Sequence, residues 1–288
     1  MLAIYKREFK AFFTNMIGFI FIAFLLLITG IYATAYNFGG YYPNFEFSLN
    51  NVSFIFAFVV PLLTMRVMAE DKRQNTDQLL FTSPVTVGKI IMGKYFAMVT
   101  ILLITVAALC VYPLILSMYG SVNFGSAYGA IVGFFFLGAA LIAIGMFLSS
   151  LTESQLIAAV VTLGVLLALY LMSYLATLIS PTAFASFAAF SVVVVIVAAL
   201  LYLMTKNIIP SVIVLVVFEV ILAAIYFLKP ALLEGRFRGF LEQLALFDRY
   251  QIFVSNGIFD LTTIVYYLTI VVLFLFFCVQ AIEKRRWS

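Results

Sequence analysis

Histidine is absent from this 288-residue chain, and only 10% of the residues are charged. Because histidine is the commonest general base and metal ligand, its absence argues against membrane hydrolases and metal-dependent membrane proteases. The sequence also contains no clustered carboxylates and no Ser–Lys or Cys–His arrangement typical of an enzyme. Its two cysteines, Cys110 and Cys278, each lie in an apolar run and are predicted to be buried hydrophobic side chains rather than a disulfide. We therefore predict that this chain is not an enzyme and binds no metal or cofactor.

Apolar residues dominate the composition instead. They make up 66% of the chain, and the mean hydropathy is +1.20. About a quarter of the residues of a soluble domain are charged, and such a domain has no means of burying this much apolar surface. A lipid bilayer solvates outward-facing apolar helices. The predicted fold class is therefore an all-α integral membrane protein, with residues 1–288 forming a single transmembrane domain.

Eight apolar stretches approach the length of about 20 residues that a membrane span needs. They cover residues 16–36, 53–69, 95–118, 127–149, 156–179, 185–204, 208–228 and 261–282. With the N-terminus in the cytosol, twelve of the 16 Lys and Arg residues fall inside, and Lys229, Arg236, Arg238 and Arg249 fall outside. This asymmetry matches the positive-inside rule. We therefore predict about eight transmembrane helices with both termini cytoplasmic.

Three segments outside the spans are amphipathic or aromatic. Residues 1–15 have an apolar and a basic face at helical spacing, which predicts an elbow helix on the inner membrane surface. Residues 36–51 are predicted to form a loop whose aromatic side chains lie at the outer interface. Residues 229–260 are predicted to form an extracytoplasmic amphipathic loop with one or two short helices. Anchoring at the interface and capping of an exit path both remain open for this last segment.

Three residues within the spans are of interest. Glu219 lies near the middle of the span 208–228, where an ionisable residue is a functional candidate, although a hydrogen bond to a neighbouring helix would explain it equally well. Gly129 and Gly133 belong to a series of glycines four residues apart, a spacing that lets helices approach closely. We interpret the series as packing within one subunit, with a contact between subunits as the alternative.

The segment 70–94 is the longest predicted cytosolic loop. It begins with charged residues, becomes apolar at Leu79, Leu80 and Phe81, and reaches Ser83-Pro84, where helical geometry is disfavoured. This pattern predicts a short helix along the membrane that a soluble partner binds in a groove. Gly88, Gly93 and Lys94 have the spacing of a phosphate-binding P-loop, but Tyr95 stands where a Ser or Thr must reach Mg²⁺, so ATP binding is not predicted there.

Three stretches together resemble the permease subunits of type-2 ABC exporters, particularly the gliding-motility branch. They are YKREFKAFF, then MRVMAEDKRQNTDQLLFTSPVTVGKIIMGKY, and finally FLSSLTESQLIAAVV with FDRYQIFVSNGIFDLTTIVYYL and the terminal EKRRW. The resemblance leaves residues 181–230 unmatched, so that the chain reads as a six-span permease core with an extra helical hairpin. It implies a coupling helix, for which the candidate residues are Glu70, Arg73, Asp77, Gln78, Leu79, Leu80, Phe81 and Pro84.

The resemblance further implies two permease subunits, identical or homologous, in the cytoplasmic (inner) membrane, coupled to separate ABC ATPase subunits that bind ATP and Mg²⁺. The apolar spans favour a lipophilic or amphipathic substrate, and the predicted partners include membrane lipids but no nucleic acid. An ion-gradient-driven transporter or channel and a scaffold for a surface machine remain alternatives. Neither the substrate nor the role of the hairpin near 185–228 follows from the sequence.

Overall fold

The computed structural model describes residues 1–73, 86–205, 207–255 and 260–287, and these are helical almost throughout. Their α-helices are α1 (Leu2–Thr14), α2 (Ile17–Tyr32), α3 (Phe45–Ser53), α4 (Phe56–Arg73), α5 (Val87–Leu109), α6 (Val111–Leu116), α7 (Phe124–Leu151), α8 (Gln155–Tyr170), α9 (Met172–Leu178), α10 (Ala183–Thr205), α11 (Ile208–Leu228), α12 (Arg236–Leu244), α13 (Leu246–Ser255) and α14 (Leu261–Trp287). A π-helix (Ala33–Phe38) follows α2, and a 3₁₀ turn (Pro230–Leu232) follows α11. The all-α membrane fold predicted from the composition is confirmed.

Five helical stretches of the described residues are long and apolar enough to cross a membrane. They are Ile17–Phe38, Val87–Leu116, Phe124–Leu151, Ile208–Leu228 and Leu261–Lys284. Counting each of the consecutive helix pairs α3–α4 and α8–α9 as one span raises the number to seven. The predicted span 185–204 lies within α10 (Ala183–Thr205), which is 23 residues long. The count of eight therefore stays a prediction beside the five to seven spans that length and composition give for the described residues.

The chain divides into two compact units. In the first, Met1–Tyr170 with Leu246–Ser288, helix α7 is the central element and packs against α3, α4, α5, α8, α13 and α14. Asn123 caps its N-terminus by accepting hydrogen bonds from the backbone N–H groups of Gly125 and Ser126. Buried tyrosines on neighbouring helices donate to backbone carbonyls, Tyr250 to Ala130 at 3.2 Å and Tyr267 to Leu246 at 2.9 Å.

The segment predicted as an outer loop, 36–51, is instead largely helical. Helix α3 begins at Phe45, and its axis bends by 55° where it is followed by α4. Phe45 is fully buried and stacks on Tyr112 with the ring centroids 5.2 Å apart, whereas Tyr41 is 91% exposed. The prediction of interfacial aromatics was therefore wrong for Phe45, because its side chain packs against protein rather than at the membrane surface.

The second unit, Leu171–Ala245, is built on the hairpin of α10 and α11. Residues 229–245 add the 3₁₀ turn and the amphipathic helix α12, whose Phe237 packs edge-on against Phe190 of α10. Gly235 adopts a positive φ of 65° immediately before α12, and its N–H donates to the Pro181 carbonyl oxygen at 2.9 Å. Of the α11 side chains, only Ser211 is buried and the others are half-buried or exposed, as in an apolar helix in contact with lipid.

Candidate functional site

A buried lysine lies where the cytosolic loop predicted at 70–94 returns to the membrane domain. Lys94 is on α5 and only 1% exposed. Its Nζ donates to the Val67 carbonyl oxygen at 2.6 Å and forms an ion pair with Asp71, both on α4. Glu8 of α1 is a second carboxylate, with Oε1 3.6 Å from Nζ. A buried charge is unfavourable unless it is paired, so these partners explain how the core holds a lysine.

Helix α1, which the sequence predicts as an elbow helix, packs on α5 close to this lysine. The hydroxyl groups of Tyr5 and Thr100 are hydrogen-bonded at 3.1 Å. A Cβ on Gly93 would lie 3.2 Å from the Met1 carbonyl oxygen and 3.3 Å from Cβ of Ile4, so the absent side chain allows the two helices to approach. Part of the apolar face of α1 is thus covered by protein instead of lipid.

The last turns of α4 are also tied to the end of α7. The backbone N–H of Ala69 donates to the Ser149 hydroxyl at 3.3 Å, and that hydroxyl donates to the Met65 carbonyl oxygen at 3.2 Å. Lys72 donates to the Ser150 carbonyl oxygen. These bonds fix the C-terminal end of α4 immediately before residues 74–85.

A cavity of about 260 Å³ lies between α1 and the end of α4. Its lining residues are Arg7, Glu8, Ala11, Phe12, Arg66, Val67, Glu70 and Asp71. Arg66 is paired with Glu70 one turn later, with Nη2 2.9 Å from Oε1. Burial alone would lower the pKa of Arg7, but the hydrogen bond and charge of Glu8, with the charge of Asp71, raise it on balance. The cavity therefore carries both signs of charge, and Arg7 remains a cation.

The residues predicted for coupling are only partly described. Glu70 lies on α4 and lines the cavity, and Arg73 is the last residue of the same helix. The other six, Asp77, Gln78, Leu79, Leu80, Phe81 and Pro84, lie outside the described residues. Thr86 occupies the N-cap position of α5, although its side chain makes no capping hydrogen bond.

The P-loop-like spacing at Gly88 to Tyr95 lies entirely within α5. A P-loop presents backbone N–H groups to phosphates from a Gly-rich loop after a strand, whereas here Lys94 is buried and paired with carboxylates. The segment therefore has helix-packing and ion-pairing roles.

The intramembrane candidates are placed on α7 and in the second unit. Gly129 and Gly133 are buried on α7, and a Cβ on Gly133 would lie 2.7 Å from Cδ2 of Phe253 on α13. Glu219 on α11 accepts a hydrogen bond from the Ser191 hydroxyl on α10, with the oxygens 2.9 Å apart. The approach of Gly133 to Phe253 lies within the first unit, and the hydrogen bond between Ser191 and Glu219 lies within the second.

Sequence reasoning missed Glu8, Asp71 and Lys94 as a group, and it missed Glu46. Lys94 is the eighth residue of α5 and lies between the apolar residues 90–93 and 95–99, and this apolar surrounding was the available signal. Glu46 is bracketed by Phe45 and Leu49, which share a helix face with Val52. That spacing marks α3 as a buried helix.

Comparison with protein families gives one match for this membrane domain. A family model described as ABC-2 family transporter protein matches residues 35–228, more than half of the chain. The match extends through α10 and α11, so the hairpin that the resemblance had left unmatched at 181–230 lies inside the family domain up to residue 228. Comparison with curated proteins gives no match. The chain therefore belongs to the ABC-2 family of transporter proteins, as a multi-pass membrane permease of a family that works with ABC ATPase partners.

Proposed function

We propose that this chain is the membrane-spanning subunit of an ATP-driven exporter whose ATPase is a separate polypeptide. The proposal is carried by the convergence of α1, α4 and α5 on Lys94. This convergence joins the two helices that flank residues 74–85 with the elbow helix. A force applied to 74–85 from the cytosol would reach all three helices through buried Lys94 and its half-buried carboxylate partners Asp71 and Glu8.

The segment 70–94 is the proposed coupling element. Leu79, Leu80 and Phe81 supply an apolar surface that enters a groove of the ATPase. Closure of the ATPases on ATP then displaces α4 and α5 and alters access to a path between two permease subunits. The same contact with the ATPase includes Asp77, Gln78 and Pro84.

Two permeases, identical or homologous, form the path in the cytoplasmic membrane, and ATP with Mg²⁺ is bound by the ATPases alone. The nearly continuous apolar surface of α11 fits a substrate that is lipophilic or amphipathic and reaches the path from the bilayer. Assignment to the gliding-motility branch rests on the three stretches that resemble it.

Co-purification tests this function. The full chain is extracted from its native membranes in mild detergent, and bound proteins are identified by mass spectrometry and assayed for ATP hydrolysis. An ABC ATPase in stoichiometric amount is the expected result. Its reproducible absence, with the permease itself monodisperse, would instead favour the gradient-driven transporter or channel.

A further inference from the structure

Lys94 contacts two helices that line opposite sides of a cavity. The cavity of about 260 Å³ lies between α1 and α4, with Arg7 and Ala11 on one wall and Arg66 and Glu70 on the other. Lys94 belongs to α5, yet its Nζ contacts carboxylates on both sides, Glu8 of α1 and Asp71 of α4. This bridge is a charged connection between the elbow helix and the end of α4, and the charge of Asp71 also acts on Arg7 of α1.

We propose that Lys94 is a positioning residue that makes the elbow helix move together with the helices flanking residues 74–85. The inference rests on the proposed function, since it concerns how ATPase-driven motion spreads through the permease. If Asp71 moves with the end of α4, Lys94 must follow, because separation would leave an uncompensated charge in a site that is 1% exposed. Glu8 is drawn along through its contact with the same Nζ, although its own charge is also paired with Arg7.

Other contacts hold α1 in place without reaching α4. The Tyr5–Thr100 hydrogen bond and the close packing at Gly93 join α1 to α5 only. Attachment of the elbow helix and its coupling to α4 are therefore separable. A variant that loses Glu8 should keep α1 attached yet no longer coupled, whereas a variant that loses only the Tyr5 hydroxyl should remain coupled.

The experiment compares these two contacts of α1 directly. In a chain with Cys110→Ala and Cys278→Ala, single cysteines are introduced by Lys10→Cys on α1 or Lys89→Cys on α5, both at exposed positions. Maleimide labelling rates are measured on the complex with its co-purified ATPase, without nucleotide and after trapping with ATP and vanadate. Glu8→Gln and Lys94→Met are tested beside Tyr5→Phe, and Lys6→Gln is the matched charge control on the same helix.

In the otherwise unaltered chain, trapping should change the labelling rate at both positions. Glu8→Gln and Lys94→Met should abolish the change at position 10 while the change at position 89 and the bound ATPase are retained. Tyr5→Phe and Lys6→Gln should behave as the unaltered chain. A nucleotide-dependent change at position 10 that persists in both Glu8→Gln and Lys94→Met, or that is absent from the unaltered chain, overturns the inference.

Failure of the proposed function itself would look different, since no ATPase would co-purify with the unaltered chain. The bridge is then tested in the permease alone by a double-mutant cycle on thermal stability with Glu8→Gln and Asp71→Asn. Because both carboxylates share Lys94, their effects should be non-additive. Strictly additive effects would overturn the bridge even without an ATPase.

Discussion

The Ser126 hydroxyl on α7 donates a hydrogen bond of 2.9 Å to Oε1 of Glu46 on α3. Glu46 is 4% exposed, and none of the ion pairs formed among the described residues includes it. Its place in the first turn of α3 puts the carboxylate near the positive end of the helix dipole. This contact holds the bent helix pair α3–α4 against the central helix.

Glu46→Ala should lower the stability of the detergent-solubilised protein by about 1–3 kcal/mol, because a buried hydrogen bond is lost and the Ser126 hydroxyl is left without its acceptor. Glu46→Gln keeps an acceptor oxygen and should be close to the unaltered protein. The thermal stability of both variants is measured by heating the protein with a thiol reagent. The buried thiol of Cys278 reacts only when the protein unfolds. Equal losses in the two variants would show that charge, not the hydrogen bond, stabilises this site.

The order of the helices could be predicted from the hydrophobic runs of the sequence. Each predicted span corresponds to a helical segment, because an apolar helix is stable in contact with lipid or with other helices. The break that separates α3 from α4 does not follow in this way. The sequence from Phe45 to Arg73 does not predict the 55° bend between Ser53 and Phe56. The bend accompanies the packing of α3 against α7, which is a tertiary contact.

The charge cluster was equally hard to predict. Asp71 and Lys94 are 23 residues apart, and Glu8 and Lys94 are 86 apart, so their pairing depends on tertiary packing. In the sequence, the three residues looked like the ordinary charged flanks of spans. Only the apolar residues on both sides of Lys94, 90–93 and 95–99, distinguished it.

The close approach at Gly133 gives a second prediction. Gly133→Ala should destabilise the protein by about 1–3 kcal/mol, since the new Cβ would lie 2.7 Å from the ring of buried Phe253. Gly164→Ala is the matched control on another long helix, where an added Cβ meets nothing within 4 Å. That change should be neutral or stabilising by up to about 1 kcal/mol, because alanine favours helix. Equal thermal shifts for the two variants would contradict the packing role.

Glu219 is predicted to act through its hydrogen bond. Glu219→Gln retains an oxygen that accepts from the Ser191 hydroxyl, so stability should change by less than about 0.5 kcal/mol and ATP hydrolysis by the purified complex should be maintained. Ser191→Ala serves as the complementary variant and should weaken the α10–α11 hairpin. Loss of activity in Glu219→Gln with unchanged stability would instead assign the carboxylate a functional role.

The predicted sidedness is tested at two exposed positions on a background without native cysteines. Thr86→Cys, at the start of α5, should react with a membrane-impermeant maleimide only in inside-out vesicles. Tyr41→Cys, before α3, should react only in right-side-out vesicles or intact cells. The expectation rests on the distribution of Lys and Arg. Labelling of Thr86→Cys from outside would reverse the topology and remove the coupling segment from the cytosol.

Attachment of the ATPase to residues 70–94 is the central claim, and substitution of its apolar surface tests it most directly. The double change Leu79→Asp with Leu80→Asp is compared with Leu232→Asp, an exposed leucine in the segment predicted to be extracytoplasmic. Both variants should insert in the membrane, but only the first should lose the co-purifying ATPase, because a groove that accepts apolar side chains rejects two carboxylates. Full retention of the ATPase by the Leu79/Leu80 variant would contradict the account.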